Sequence, residues 1–188
     1  MKNLLIIPFM CIILVNSGKA QKVENDDTSS KANHFSMGYN LNDFGHDFGV
    51  GINITSPYFA NKKVAVKISE NFQWLNHIGA DGKYTWTGYN NVRIGMVSGG
   101  FMLNNTIRLY GEGGVTFLIS PSTITSNTTH AGGYGLFGFE FFINTPKNNL
   151  SYFIELGGIG TGAIADKVAA SPIYSNGFMS SVGFRIYL

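Results

Sequence analysis

Gly177-Phe178-Met179-Ser180-Ser181-Val182-Gly183-Phe184-Arg185-Ile186-Tyr187-Leu188 closes the chain, and its two alternating faces differ in kind. Phe178, Val182, Phe184, Ile186 and Leu188 share one face, interrupted by Ser180, while Gly177, Met179, Ser181, Gly183, Arg185 and Tyr187 share the other. A period of two marks a β-strand whose sides meet different surroundings. Upstream, Ile107, Leu109, Gly111, Gly113, Val115 and Phe117 oppose Arg108, Tyr110, Glu112, Gly114 and Thr116 in the same way. Phe137, Phe139 and Phe141 oppose Leu136, Gly138 and Glu140. Further strands fit around Phe35–Leu41, Phe48–Ile54, Val64–Ile68, Val92–Met96 and Tyr152–Leu156, which makes about eight. The phase slips between Glu70 and Trp74 and Asn90 falls on an apolar face, so a bulge or a misplaced strand boundary is expected there.

Charge distinguishes the faces further. Lys67, Arg93, Arg108, Glu112, Glu140, Glu155 and Arg185 all lie on the face rich in glycine and small polar residues, and Glu70 is the charge on the opposite face. A soluble sheet buries its apolar face and wets the polar one. A charged face crowded with glycine fits the interior of a narrow barrel, and a face almost free of charge fits lipid, where Lys or Arg costs about 2–4 kcal/mol at mid-membrane. A sheet in lipid has to close, because an open edge leaves backbone groups unpaired in hydrocarbon. Tyr39, Tyr58, Trp74, Trp86 and Tyr152 fall near strand ends, where interfacial aromatic girdles belong. The expected fold is therefore an all-β, single closed antiparallel up-and-down transmembrane barrel of about eight strands. A secreted lipocalin-like barrel is the soluble alternative.

The N-terminus fits export. Lys2 precedes an apolar run from Leu4 to Val15, and Gly18 and Ala20 are small residues placed for signal cleavage before Gln21. That run is too short for a spanning helix, which needs about 20 residues. Residues 1–20 thus read as a cleavable signal peptide, 21–33 as a disordered periplasmic lead-in, and 34–188 as the barrel domain. Cleavage removes Lys2 and Lys19, so the charge of +2 becomes a balance of eleven basic and eleven acidic residues. A neutral chain without a basic patch gives no case for nucleic acid. Cys11 leaves with the signal, and with it disulfides and thiolate chemistry.

The connections alternate in length. Ser56–Lys62, Ser98–Asn105 and Asn144–Asn149 fall on one side as short turns; Asn76–Lys83, Ser120–His130 and Gly162–Asn176 fall on the other as longer loops, after a short first connection near Asn42–Asp47. Short inner turns and long outer loops are the pattern of bacterial outer-membrane barrels.

The chain from about Asn33 to Leu188 resembles the small outer-membrane barrels of Gram-negative bacteria, similar to the OmpA transmembrane domain and OmpX. The resemblance is carried by Tyr152-Phe153-Ile154-Glu155-Leu156-Gly157 and by the C-terminal strand. It implies location in the outer membrane, with membrane lipid and lipopolysaccharide as surroundings. It also implies recognition of the C-terminal strand by the barrel-assembly machinery, although the chain ends in Leu188 where the family most often has Phe.

No catalytic, cofactor-binding or metal site stands out. His34, His46, His77 and His130 lack ligand spacing, and Gly158-x-Gly160-x-Gly162 opens no helix that would bind phosphate. A lipid A deacylase-like site would need His, Ser and an acid on the lipid face; His130 and Glu140 are the suggestive pair, but Gly132 stands where a His-x-Ser motif needs serine. A palmitoyltransferase-like site could be written from His77 with Asp81, or His130 with Ser126, all ordinary loop residues. The function expected is that of a non-enzymatic membrane barrel with a side-chain-plugged lumen, structural or contacting its surroundings through the outer loops. A lipid-modifying enzyme and a small pore are the alternatives. The seven inward charges are expected to pair as a structural layer, because an unpaired ion in a narrow lumen costs several kcal/mol.

Overall fold

A computed structural model describes residues 34–44, 47–79, 81–103, 106–143 and 149–188. The expected signal peptide and lead-in, together with His46, lie outside the described residues. The strands are β1 (Ser36–Asp43), β2 (Asp47–Thr55), β3 (Val64–Ile78), β4 (Tyr84–Leu103), β5 (Ile107–Ile119), β6 (Thr129–Phe142), β7 (Leu150–Gly160), β8 (Ala163–Ile164), β9 (Ile173–Tyr174) and β10 (Gly177–Tyr187). β1 to β7 and β10 pair antiparallel with their neighbours and close into one eight-stranded barrel when β10 meets β1. β8 and β9 form a separate two-stranded sheet in the last long connection.

The register sets the barrel's shape. From Leu150 the paired positions run Ile186, Met37, Ile54, Ile68, Ile94, Val115 and Gly133, and return to β7 at Gly160, ten residues along. With about 3.3 Å per residue and about 4.8 Å between strands, this stagger tilts the strands by roughly 40°. A barrel of this size has room inside for side chains alone.

Burial alternates along every long strand, reading BeBeBeBe in β1 and iBeBeBeBeBiBiBi in β3. The outward face is apolar and open: Ile52, Met96 and Phe184 are each more than half exposed. Glu70 points outward from the middle of β3, and Asp43 ends β1 at one rim. Phe141 stacks on Tyr152 across β6 and β7 at 4.5 Å, near the rim that carries the C-terminus, here the lower rim. Phe48 and Trp74 stack at 6.2 Å towards the opposite, upper rim.

Several local expectations are corrected. β3 has no bulge between Glu70 and Trp74; the apparent slip is two exceptions to one alternation, Glu70 outward and Leu75 inward. Asn90 stays in register opposite Phe72, facing outward. The bulge lies in β4, between Ser98 and Phe101, where the pairing with β5 shifts. Gly99 there has φ +135°, and a Cβ would meet the Leu109 carbonyl oxygen at 2.7 Å. β4 therefore continues through the expected Ser98–Asn105 turn to Leu103. The expected 76–83 loop also shortens, because Asn76, His77 and Ile78 pair with Trp86, Thr85 and Tyr84, leaving a turn closed by Gly79 N–H donating to the Lys83 carbonyl at 2.9 Å.

Candidate functional site: the closed lumen

Six of the seven inward charges meet near the lower rim. Lys67 Nζ lies 2.7 Å from Glu112 Oε2 and 2.6 Å from Glu155 Oε1. Arg185 reaches Glu140 at 3.0 Å and Glu155 at 3.8 Å, and Arg108 pairs with Glu140 from the other side. The order Glu112, Lys67, Glu155, Arg185, Glu140, Arg108 alternates in sign from end to end and draws on β3, β5, β6, β7 and β10. Hydroxyls occupy much of the remaining acceptor capacity: Tyr110 donates to Glu155 at 2.6 Å, Tyr134 to Glu112 at 2.8 Å, and Tyr187 and Ser151 to Glu140 at 2.5 Å each. Phe153 lies against Arg185 and Lys67, with ring centroids 4.8 and 5.6 Å away. All six charged groups are buried, so their mutual pairing and these hydrogen bonds offset the loss of hydration.

Glycine makes the room. An added Cβ at Gly138 would meet the Tyr110 ring at 2.2 Å, and one at Gly183 would meet Phe153 at 2.6 Å. Gly38, Gly49 and Gly51 lie beneath Asn53, Gln73 and Asn71 in the same way.

Arg93 stands apart from the chain of ion pairs. It lies in the row of Ser69, two residues above Lys67 on the neighbouring strand, within a tier of amides. Its Nη2 donates to Asn42 Oδ1 at 3.3 Å and to Asn71 Oδ1 at 3.2 Å, and its Nη1 to the Met179 sulfur at 2.9 Å. Asn40 and Asn42 also donate to Asn71 Oδ1, and Asn53 donates to Asn40. This tier was not read from the sequence, although alternation puts Asn40, Asn42, Asn71 and Gln73 on the charged face; their meeting depends on register between strands.

Above the amides the lumen is closed by an apolar cap. Leu75, Tyr89 and Leu118 from the wall pack with Ile124, Ala163, Ala165 and Tyr174 from the two long upper loops. Tyr174 donates to Ser120 at 2.8 Å, Lys167 to the Ser122 carbonyl at 2.9 Å, and Ser126 N–H to Asp166 at 2.7 Å. Asp47 ties the cap to the wall, accepting from Tyr89 at 2.9 Å and from Ser175 N–H at 2.6 Å.

The residues considered for lipid chemistry are dispersed. His130 is at the start of β6, its Nε2 2.9 Å from the Asn127 carbonyl, whereas Glu140 is ten residues down the strand inside the ion chain. His77 Nε2 lies 2.8 Å from Thr87. Among the described residues, no group of three or more His, Cys, Asp and Glu is placed to hold a metal.

No protein-family model matches the chain, and neither does any curated protein. Among solved structures it is similar to the N-terminal β-barrel domain of Pseudomonas aeruginosa OprF, with a TM-score of 0.57 at 10% identity, covering 83% of this chain and 98% of that one. It is also similar to the outer membrane protein OprG from Pseudomonas aeruginosa, with a TM-score of 0.47 at 10% identity, covering 83% of this chain and 96% of that one. The OprF likeness shows the fold alone, a small closed β-barrel.

Proposed function

We propose that this protein is an integral outer-membrane barrel without enzymatic activity, whose lumen is plugged by its own side chains and whose upper loops meet the cell's surroundings. The observation that carries this reading is the outward face: every strand of the closed barrel turns apolar side chains out, and Glu70 is the charged side chain between the rims. In water such a belt would drive aggregation, and in a bilayer it is the expected surface. The lower rim, with β1's start and the C-terminus, then faces the periplasm, and the capped rim faces outward. The barrel-assembly machinery would recognise β10, whose outward Val182, Phe184 and Ile186 stay exposed.

The separation of His130 from Glu140 favours this reading over lipid enzymology, because acid–base chemistry needs both groups within reach of one substrate atom. Two measurements test the proposal. Membrane fractionation should place the mature product with the outer membrane, its N-terminus at Gln21; a soluble periplasmic product would refute the membrane assignment. The lipid A profile of a deletion strain should match the parent, and an altered acylation pattern would make the enzyme reading the correct one.

A further inference from the structure

We propose that the upper end of β4 is a strand-addition site, which takes an extended, uncharged segment of another polypeptide along its free edge. It rests on the proposed orientation, with the capped rim outward. Register is the first reason. β3 meets β2 up to Leu75 and β4 meets β5 from Asn90 onward, yet β3 and β4 stay paired with each other as far as Ile78 and Tyr84. The β3–β4 hairpin therefore stands above its neighbours, and β4 from Tyr84 to Tyr89 is paired on one edge alone. The turn bond from Gly79 N–H to the Lys83 carbonyl fixes the direction of the backbone groups. Counted from it in alternation, Thr85 and Thr87 exchange bonds with β3, while Tyr84, Trp86 and Gly88 turn their N–H and C=O groups the other way. Among the described residues no backbone bond meets those groups. The loop beyond β5 bonds elsewhere: Ser120 N–H to the Thr128 carbonyl, Ile124 N–H to the Pro121 carbonyl, and Lys167 N–H to the Ile124 carbonyl.

Composition is the second reason. Tyr84-Thr85-Trp86-Thr87-Gly88-Tyr89 holds no charge and no proline. Exposed edges are ordinarily blunted by lysine, proline, a bulge or shortness, because they otherwise recruit strands. None of these interrupts this stretch, whereas the free stretch of β3 runs only from Asn76 to Ile78. Alternating donors and acceptors along one line match an extended backbone, the partner that strand addition takes. Tyr84 and Trp86 are 78% and 55% exposed, and the Phe72 ring lies over Gly88. Side chains on the outer face of an added strand would thus lie against rings, and those on its inner face beside Thr85 and Thr87, so the segment that fits is apolar outside, small or hydroxylic inside, and uncharged. A second copy in the same membrane fits poorly. A twofold axis along the membrane normal would cross two strands, each tilted by roughly 40°, at about 80° instead of aligning them.

The test uses the purified mature protein in detergent micelles, with amide exchange read by NMR and a short blocked peptide of alternating valine and threonine as the probe. The peptide should slow exchange at the Trp86 and Gly88 amides and leave Thr85 and Thr87, already bonded to β3, as they were. Its valines would stand opposite Tyr84, Trp86 and Gly88, so N-methylation of the valines removes the donors that face β4 and should weaken binding at least about tenfold. N-methylation of the threonines, which point away from β4, should leave binding in place. Trp86→Pro removes a donor from the free edge without touching a bond to β3 and should abolish binding, whereas Trp86→Ala keeps the donor and should still bind. Equal binding of the valine-methylated and parent peptides, or of Trp86→Pro and the wild type, would overturn the proposal. So would protection at Trp86 and Gly88 that grows with the concentration of the protein alone, the sign of a second copy on the edge. Binding in micelles does not depend on which rim faces outward, so failure there condemns the edge and not the membrane orientation.

Discussion

Each residue in this barrel is governed first by the side of the sheet it faces. Arg185 shows the consequence for charge: removing it leaves Glu140 with Arg108 alone and Glu155 with Lys67 alone, all in a buried site. Arg185→Ala should cost about 3 kcal/mol or more, since it leaves Glu112, Glu140 and Glu155 to share Lys67 and Arg108, and an excess buried charge is far dearer than a lost surface contact. Lys83→Ala, at an exposed turn, should stay within about 0.5 kcal/mol. Equal unfolding midpoints for the two variants would mean that the ion chain is solvated. Gly138 and Gly135 make the same argument for size. A methyl at Gly138 collides with Tyr110, whereas at Gly135, on the outer face of the same strand, its nearest neighbour is a carbonyl oxygen at 4.0 Å. Gly138→Ala should destabilise by roughly 1–3 kcal/mol and Gly135→Ala should be neutral or better, checked by denaturant unfolding of both. The inward positions of Arg185 and Gly138 were legible from alternation; their partners were not, because a sequence does not state which residues stand opposite.

Among the elements, the upper loops depart furthest from a sequence reading. Ser120–His130 and Gly162–Asn176 read as plain polar connections, yet Ile124, Ala163, Ala165 and Tyr174 bury themselves in a shared apolar cluster over the mouth. These are isolated apolar residues without periodicity, so only tertiary contact makes them a core. The cap also carries a pH dependence. Hydrogen bonds from Ser126 hold the Asp166 carboxyl below its ordinary value. A depressed folded-state pKa contributes stability above the unfolded value, near 4, and loses it as the pH falls through the folded value. The protection factor of the Ser126 amide, corrected for the intrinsic pH dependence of exchange, should therefore hold at neutral pH and fall only when the pH drops below about 4, and in Asp166→Asn it should lack that step. Proteolysis or exchange data showing no difference between wild type and variant would rule out the carboxylate as the loop tie.

The whole molecule is a closed cylinder with three tiers inside: ion pairs below, amides in the middle, an apolar cap above. Closure couples all eight barrel strands, because every strand hydrogen-bonds on both edges. The protein should accordingly migrate differently in detergent gels before and after boiling, and identical mobility would count against closure. The tiers also block passage. Tyr110, Phe153 and Met179 are essentially fully buried beside the charges, and Tyr89, Leu118 and Ile124 seal the mouth. The purified monomer should give no sustained single-channel current in planar bilayers. Stable conductance steps of porin size would show that the tiers open together.

Alternation along Gly177–Leu188 and its counterparts was enough to determine strands, faces and a closed barrel, because side chains on a strand point to opposite sides by covalent geometry alone. The same reasoning placed Lys67, Arg108, Glu112, Glu140, Glu155 and Arg185 inside. It placed Arg93 inside as well, but set it in the layer from which the structure separates it. What only the tertiary structure decided was height and partnership. A ten-residue stagger around the barrel carries each inward group to a level that its own strand does not specify. That stagger sets Glu112 beside Lys67 and leaves Arg93 among asparagines, since contact across a lumen depends on the register of every strand between.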